Sequence, residues 1–160
     1  MIGNSGQRSE AVGSVAREIM RTSGPGNLSI DPNVCARVHE LLLVMYPPGP
    51  PLERRNDRRY PYPQLIRLTP VDETGKPIPS QTIAVVGKTL SERGVGFYHS
   101  QPFPHRRVVA SFHAGDDRWL GLLVDISWCR FTGLGWYESG GRFLQAVPAL
   151  NADAPTSSSE

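Results

Sequence analysis

The run PPGPP at residues 47–51 is the feature that most restricts how this chain can fold. Proline cannot continue a helix, because it lacks the backbone donor and its ring clashes with the preceding turn. Closely spaced prolines also favour a stiff, extended connection. The hydrophobic period changes across this break. Before it, apolar residues recur at helical spacing. After it, they come in short runs separated by turn residues. A helical segment followed by a β-rich segment is the expected division.

On the helical side, residues 1–8 read as a disordered N-terminus and 9–46 as a helical N-terminal segment. In SEAVGSVAREIMRTSG, the residues Val12, Val15, Ala16, Ile19 and Met20 form one stripe, with Gly24 as a stop. In DPNVCARVHELLLVMYPP, Asp31 suits an N-cap and Pro32 the first turn, and Val34, Val38, Leu41, Leu42 and Met45 share a face. Residues 47–63 read as a proline-rich linker and arginine loop. From 64 to 147, the runs QLIRLT, QTIAVVGKT, GVGFYH, RVVASFH and WLGLLVDISWCRF alternate with the turn clusters DETGKP, SQPFPH and HAGDD. GWYESGGRFLQAV reads as one more strand pair, turning at Ser139–Gly140. The pattern predicts a mainly β fold: a six- to seven-stranded antiparallel β-barrel with N-terminal helices. Residues 148–160 read as a polar, disordered tail.

Charge and reactive residues narrow the function. Seventeen Lys and Arg against fifteen Asp and Glu give a net charge of only +2, so basicity is local and a general polyanion binder is not expected. Cys35 and Cys129 fit no zinc spacing and read as reduced thiols. The start MIGNSGQRSE lacks the apolar run of a signal peptide, and LLLVM at 41–45 is too short to span a bilayer. A cytoplasmic protein without membrane attachment is expected. His39, His99, His105 and His113 share no metal-ligand spacing and read as surface or barrel-rim residues. TIAVVGKT ends like a phosphate-binding loop, but Thr82 stands where that loop needs glycine. No nucleophile-elbow motif occurs. Neither enzyme activity, nor a metal, nor a cofactor is expected.

The local basicity lies in LERRNDRRYPYP, residues 52–63. Arg54 and Arg58 form one RxxxR, and Arg55 and Arg59 another. Arginine offers a planar fork for phosphate and a flat cation for stacking on a base. Glu53 and Asp57 are interleaved, and a solvated surface of ion pairs is the plainer alternative. About thirty residues on comes KTLSERGVGFYHSQPF.

Together these segments resemble the PilZ domain family, which has RxxxR in a loop before a six-stranded barrel and then [D/N]xSxxG on the barrel surface. ERRNDRR resembles the first motif, best in the register Arg55 and Arg59. TLSERG resembles the second at Ser91 and Gly94, with Thr89 at the Asp/Asn position. VDISWCRF and ESGGRFLQ resemble the late strands, so the resemblance covers roughly residues 52–147. It implies binding of the bacterial second messenger cyclic di-GMP. Arg55 and Arg59 would grip phosphate or a guanine edge, with Arg54 and Arg58 secondary. Ser91 would offer its hydroxyl, and Gly94 a tight turn. Thr89 supplies a hydroxyl in place of a carboxylate or amide.

Three functions follow. The first is a cyclic di-GMP receptor or adaptor whose N-terminal segment changes orientation on binding, with an unknown downstream protein partner and possible homodimer formation. The second is a degenerate PilZ-like barrel acting as a protein-interaction module without nucleotide. The third is single-stranded nucleic-acid binding on a small barrel, with arginine and Tyr60, Tyr62 or Phe97 as stacking platforms, although no nucleic-acid partner is expected.

Overall fold

The structure, a computed structural model, describes residues 31–47 and 58–150. The expected helix at about 10–23 lies outside the described residues, as do Arg54, Arg55 and the tail from 151 onward.

Helix α1 spans Pro32–Met45. The Asp31 carboxylate accepts the Asn33 amide at 2.8 Å, and Pro32 fills the first turn, where its missing donor costs nothing. Strands follow at Tyr60–Pro61 (β1), Leu65–Pro70 (β2), Ile83–Leu90 (β3), Gly94–His99 (β4), Arg107–His113 (β5), Trp119–Phe131 (β6) and Tyr137–Val147 (β7). All pairings are antiparallel, in the order β3-β2-β5-β6-β7-β4, and β4 pairs back onto β3. This closes a six-stranded barrel and removes the open edges of a sheet. β1 adds a seventh strand, pairing with the end of β3.

Strand alternation sends Val95 and Phe97 inward from β4, and Val108, Ala110 and Phe112 inward from β5. Tyr62, fully buried against Phe112, completes the packing, and burial pushes its hydroxyl up to about 12. Val34, Val38, Leu41 and Leu42 of α1 join the same core, at about 1.5–3 kcal/mol each. The helix is thus part of the barrel's core. Polar contacts fix its place further. Arg37 donates to the carbonyls of Gly121 and Val147, and Glu40 pairs with Arg118. Near the helix start, Glu92 lies close enough to Cys35 to add to the burial that pushes the thiol up.

Three expectations change. GWYESGGRFLQAV is one continuous strand from Tyr137, because its glycines are places of close approach. A Cβ on Gly140 would lie 2.5 Å from the Trp128 ring, and one on Gly141 would lie 2.6 Å from the Asp125 carbonyl oxygen. His99 is buried, not at the rim, with Nδ1 2.6 Å from the Gln101 carbonyl and Nε2 2.8 Å from the Ser139 hydroxyl. Tyr62 and Phe97 are core residues and cannot serve as stacking platforms at the surface. Beyond β7 the chain stays attached through residue 150: the Leu150 amide donates to the Ser111 hydroxyl at 2.9 Å.

Candidate functional site

Among the described residues, Arg59 of the arginine run meets further cations on the outer wall of the barrel. Register explains how. β1 pairs Tyr60 with Leu90 and Pro61 with Thr89, so Arg59 is delivered beside the turn from β3 to β4. The end of α1 holds β1 there: the Tyr46 hydroxyl donates to the Pro61 carbonyl, and the Tyr46 and Tyr60 rings lie 6.1 Å apart. Arg58 points elsewhere, over the Tyr60 ring at 5.2 Å.

The β3–β4 turn is closed by Ser91. Its backbone amide donates to the Gly94 carbonyl at 3.0 Å, and its hydroxyl oxygen accepts the amides of Arg93 and Gly94 at 3.3 and 3.2 Å. Ser91 is buried, so its hydroxyl holds the turn before it can hold anything else. A Cβ on Gly94 would come within 2.2 Å of the Gly141 carbonyl oxygen, so any side chain there would part β4 from β7. Thr89 faces outward: a Cβ on its partner Gly96 would lie 2.9 Å from its hydroxyl oxygen. An aspartate at 89 would therefore not be a core charge.

Arg59, Thr89, Ser91 and Gly94 line one cavity of about 360 Å³. Lys88, Arg93, Trp128, Gly140 and Arg142 line it as well, and neither motif singles them out as ligand contacts. β6 and β7 bring the last three across, by pairings that link β4 to Arg142 and Gly140, and Gly140 to Trp128. Four cations face one carboxylate, Glu138, in this lining. Glu138 is already committed. It pairs with Lys88, and its Oε2 accepts from Arg130 Nε and Nη2 at 2.8 and 2.6 Å. The Lys88 bond, then Arg130, holds its carboxyl below the usual range, and the same bond first of all raises Lys88. Arg142 keeps only a loose pairing, 3.8 Å, to Asp125. Among the described residues no carboxylate pairs with Arg59 or Arg93. The uncommitted positive charge suits an anion, and arginine suits phosphate oxygens in particular.

Among the described residues, no three His, Cys, Asp or Glu side chains come together in a way that could hold a metal. TIAVVGKT is strand, with the Gly87 amide donating to the Gln64 carbonyl at 2.8 Å, so it forms no phosphate loop. No described helix is long and apolar enough to cross a membrane.

Fold and site together define a small antiparallel barrel with a cationic, glycine-floored cavity on its outer wall. No protein-family model and no curated protein matches the chain. Among solved structures it is similar to the Bacillus subtilis inhibitor of motility (MotI/DgrA), at 9% sequence identity and a TM-score of 0.43. That match covers 60% of this chain and 45% of the other, less than half of that protein's length.

Proposed function

We propose that this protein is a PilZ-type receptor for cyclic di-GMP, acting as a non-enzymatic adaptor in the cytoplasm. One observation carries the reading. Arg59, Thr89, Ser91 and Gly94, which two separate sequence motifs single out, line the same cavity. The ligand's two phosphates match the uncommitted cations, and its guanine edges offer acceptors to arginine. Arg55 would act with Arg59 from the adjoining segment.

The reading limits what moves. Undocking α1 would expose four core side chains, at a cost of roughly 6–12 kcal/mol. A micromolar ligand supplies only about 8 kcal/mol in all. Ligand binding therefore draws the arginine segment onto the barrel while α1 stays seated, and any reorientation passes through the chain outside α1.

The protein-interaction reading has one observation in its favour. Phe131, Leu134 and Trp136 stand exposed at the β6–β7 hairpin around a second concavity of about 770 Å³. A receptor and an interaction module are compatible if that face meets the downstream partner. Calorimetric titration with cyclic di-GMP, with GTP and a short oligonucleotide as controls, tests the proposal. Saturable binding of cyclic di-GMP alone is expected. Heat only from the oligonucleotide, or none at all, would overturn it.

A further inference from the structure

We propose that the free edge of β6, residues 127–131, pairs with the same edge of a second copy of this chain, antiparallel about a two-fold axis at Cys129. Barrel closure does not cover this stretch, because β6 outruns its neighbour. β5 begins at Arg107, opposite Asp125, and the last bond on that side runs from the Ile126 amide to the Arg106 carbonyl at 2.7 Å. β6 and β7 continue as a two-stranded arm to the turn at 132–136. Residues 127–131 are all exposed, and among the described residues no backbone group outside β7 bonds to them. Register shows which groups this leaves open. The Phe143 amide donates to the Arg93 carbonyl, so residues 143, 141, 139 and 137 of β7 turn their backbone groups toward β4, and the residues between turn theirs toward β6. Gly140 and Glu138 therefore exchange bonds with Trp128 and Arg130. The Thr132 amide, donating to the Trp136 carbonyl at 2.9 Å, continues the same alternation. Cys129 and Phe131 aim both N–H and C=O away from β7, at solvent.

A bare edge is a template for another strand, and proteins usually defend it with proline, lysine or a bulge. The edge SWCRF has neither proline nor lysine, and its bulge lies at the inner end, between Ile126 and Trp128. Its one charge, Arg130, is already answered by Glu138. The order of residues chooses the partner. Paired with itself about Cys129, the stretch sets Ser127 opposite Phe131 and Trp128 opposite Arg130, in both directions. Each guanidinium then meets an indole of the other copy, and no two arginines meet. A two-fold axis at Arg130 would put like charges face to face, and one at Phe131 would set half the edge against the turn. About Cys129 the whole stretch is used, and the open N–H and C=O groups of the two Cys129 residues bond to each other. The pairing needs no nucleotide and holds whether or not the cavity binds one.

Sedimentation equilibrium of the full chain tests this, with melting temperatures measured beside it. Wild type is expected to dimerise reversibly as concentration rises. Cys129→Pro removes the two amides that bond across the axis and none that bonds within the barrel. It should weaken dimerisation about thirtyfold, two hydrogen bonds, with little change in melting temperature. Cys129→Lys and Cys129→Glu should each stay monomeric alone and pair when mixed, which requires the two copies to meet at this residue. The mixture decides the matter even if the proline variant melts early. Cys129→Ser should dimerise like wild type, which separates edge pairing from a disulfide. In a Cys35→Ser chain, a short bismaleimide should link Cys129 to Cys129 of the second copy. A wild type that stays monomeric at near-millimolar concentration would overturn the proposal and leave the edge to an extended peptide of another protein. A dimer that Cys129→Pro and Cys129→Lys both leave intact would overturn it as well, since the contact would lie elsewhere.

Discussion

Two concavities lie side by side on this barrel and share a wall, yet their chemistry differs. The first has a floor of Gly96 and Gly140 and a rim of Arg59, Arg93 and Arg142. The second is lined by Val86, Phe131, Leu134 and Trp136 around the β6–β7 hairpin. Lys88 and Glu138 line both. In the shared wall every charge is answered: Glu138 takes Lys88 on one side and Arg130 on the other. In the first concavity positive charge is left over. The lesson is that cation count does not define a binding site. What matters is which cations the fold has left without a carboxylate, and whether bare backbone lies beside them.

The comparison breaks most easily at Arg59. Arg59→Ala should take cyclic di-GMP binding below calorimetric detection while the melting temperature of the free protein stays nearly unchanged, because the side chain is exposed. Arg55→Ala is expected to do the same, and Arg58→Ala to matter less, since Arg58 is turned over Tyr60. Equal damage from Arg58→Ala would mean that the other RxxxR register holds the ligand.

The shared wall should respond in the opposite way, through stability. Glu138→Gln leaves Lys88 and Arg130 without their carboxylate, and about 1–3 kcal/mol should be lost in denaturant unfolding. The pH dependence has a definite sign. Glu138 is held below its usual range, so its contribution is complete above the ordinary carboxylate value. It is lost as pH falls through the lowered one. Lys88 is raised, so its contribution is complete below the ordinary lysine value and is lost only as pH rises through the raised one. Unfolding curves of Glu138→Gln should therefore fall less steeply toward acid than wild type. Parallel acid limbs would mean the pair adds nothing to stability.

Thr89 sharpens the comparison further. Because it faces the cavity, Thr89→Asp should tighten cyclic di-GMP about tenfold at constant melting temperature, the low end for a charge-assisted hydrogen bond. Thr89→Val should weaken it about fivefold, one neutral hydrogen bond. Affinity unmoved by either substitution would mean that residue 89 does not touch the ligand. The smallest effect belongs to the second concavity. Leu134 is 87% exposed, so Leu134→Ser should change stability by less than about 0.5 kcal/mol and leave cyclic di-GMP affinity unchanged. A loss of affinity there would join the two concavities into one site.

Local patterns were legible in the sequence, and long-range pairings were not. α1 showed itself through Asp31, Pro32 and the Val34–Val38–Leu41–Leu42 face, because capping and helical period are local signals. Most barrel strands showed themselves through short β-rich runs between turns. β1 did not: two residues, one a proline, carry no period, and only pairing with Thr89 and Leu90 makes them a strand. Ser139–Gly140 looked like a turn because glycine is punctuation in sequence; in the barrel Gly140 and Gly141 make room for Trp128 and for the β6 backbone. The site divides along the same line. Arg59 was readable in one short motif, and Thr89, Ser91 and Gly94 in a second about thirty residues on. Trp128, Gly140 and Arg142 come from strands some forty residues further on, placed by register alone. Glycine on one strand and tryptophan on the next was the available signal, and it has meaning only once the register is known.

Backbone amide chemical shifts of the isotopically labelled chain, followed as cyclic di-GMP is added, test the central claim most directly. The account predicts saturable shifts at Gly94, Gly96 and Gly140 and at the Trp128 indole, with Gly133, Leu134 and Gly135 at the hairpin tip unmoved. Shifts confined to the hairpin tip, or none at saturating ligand, would contradict it.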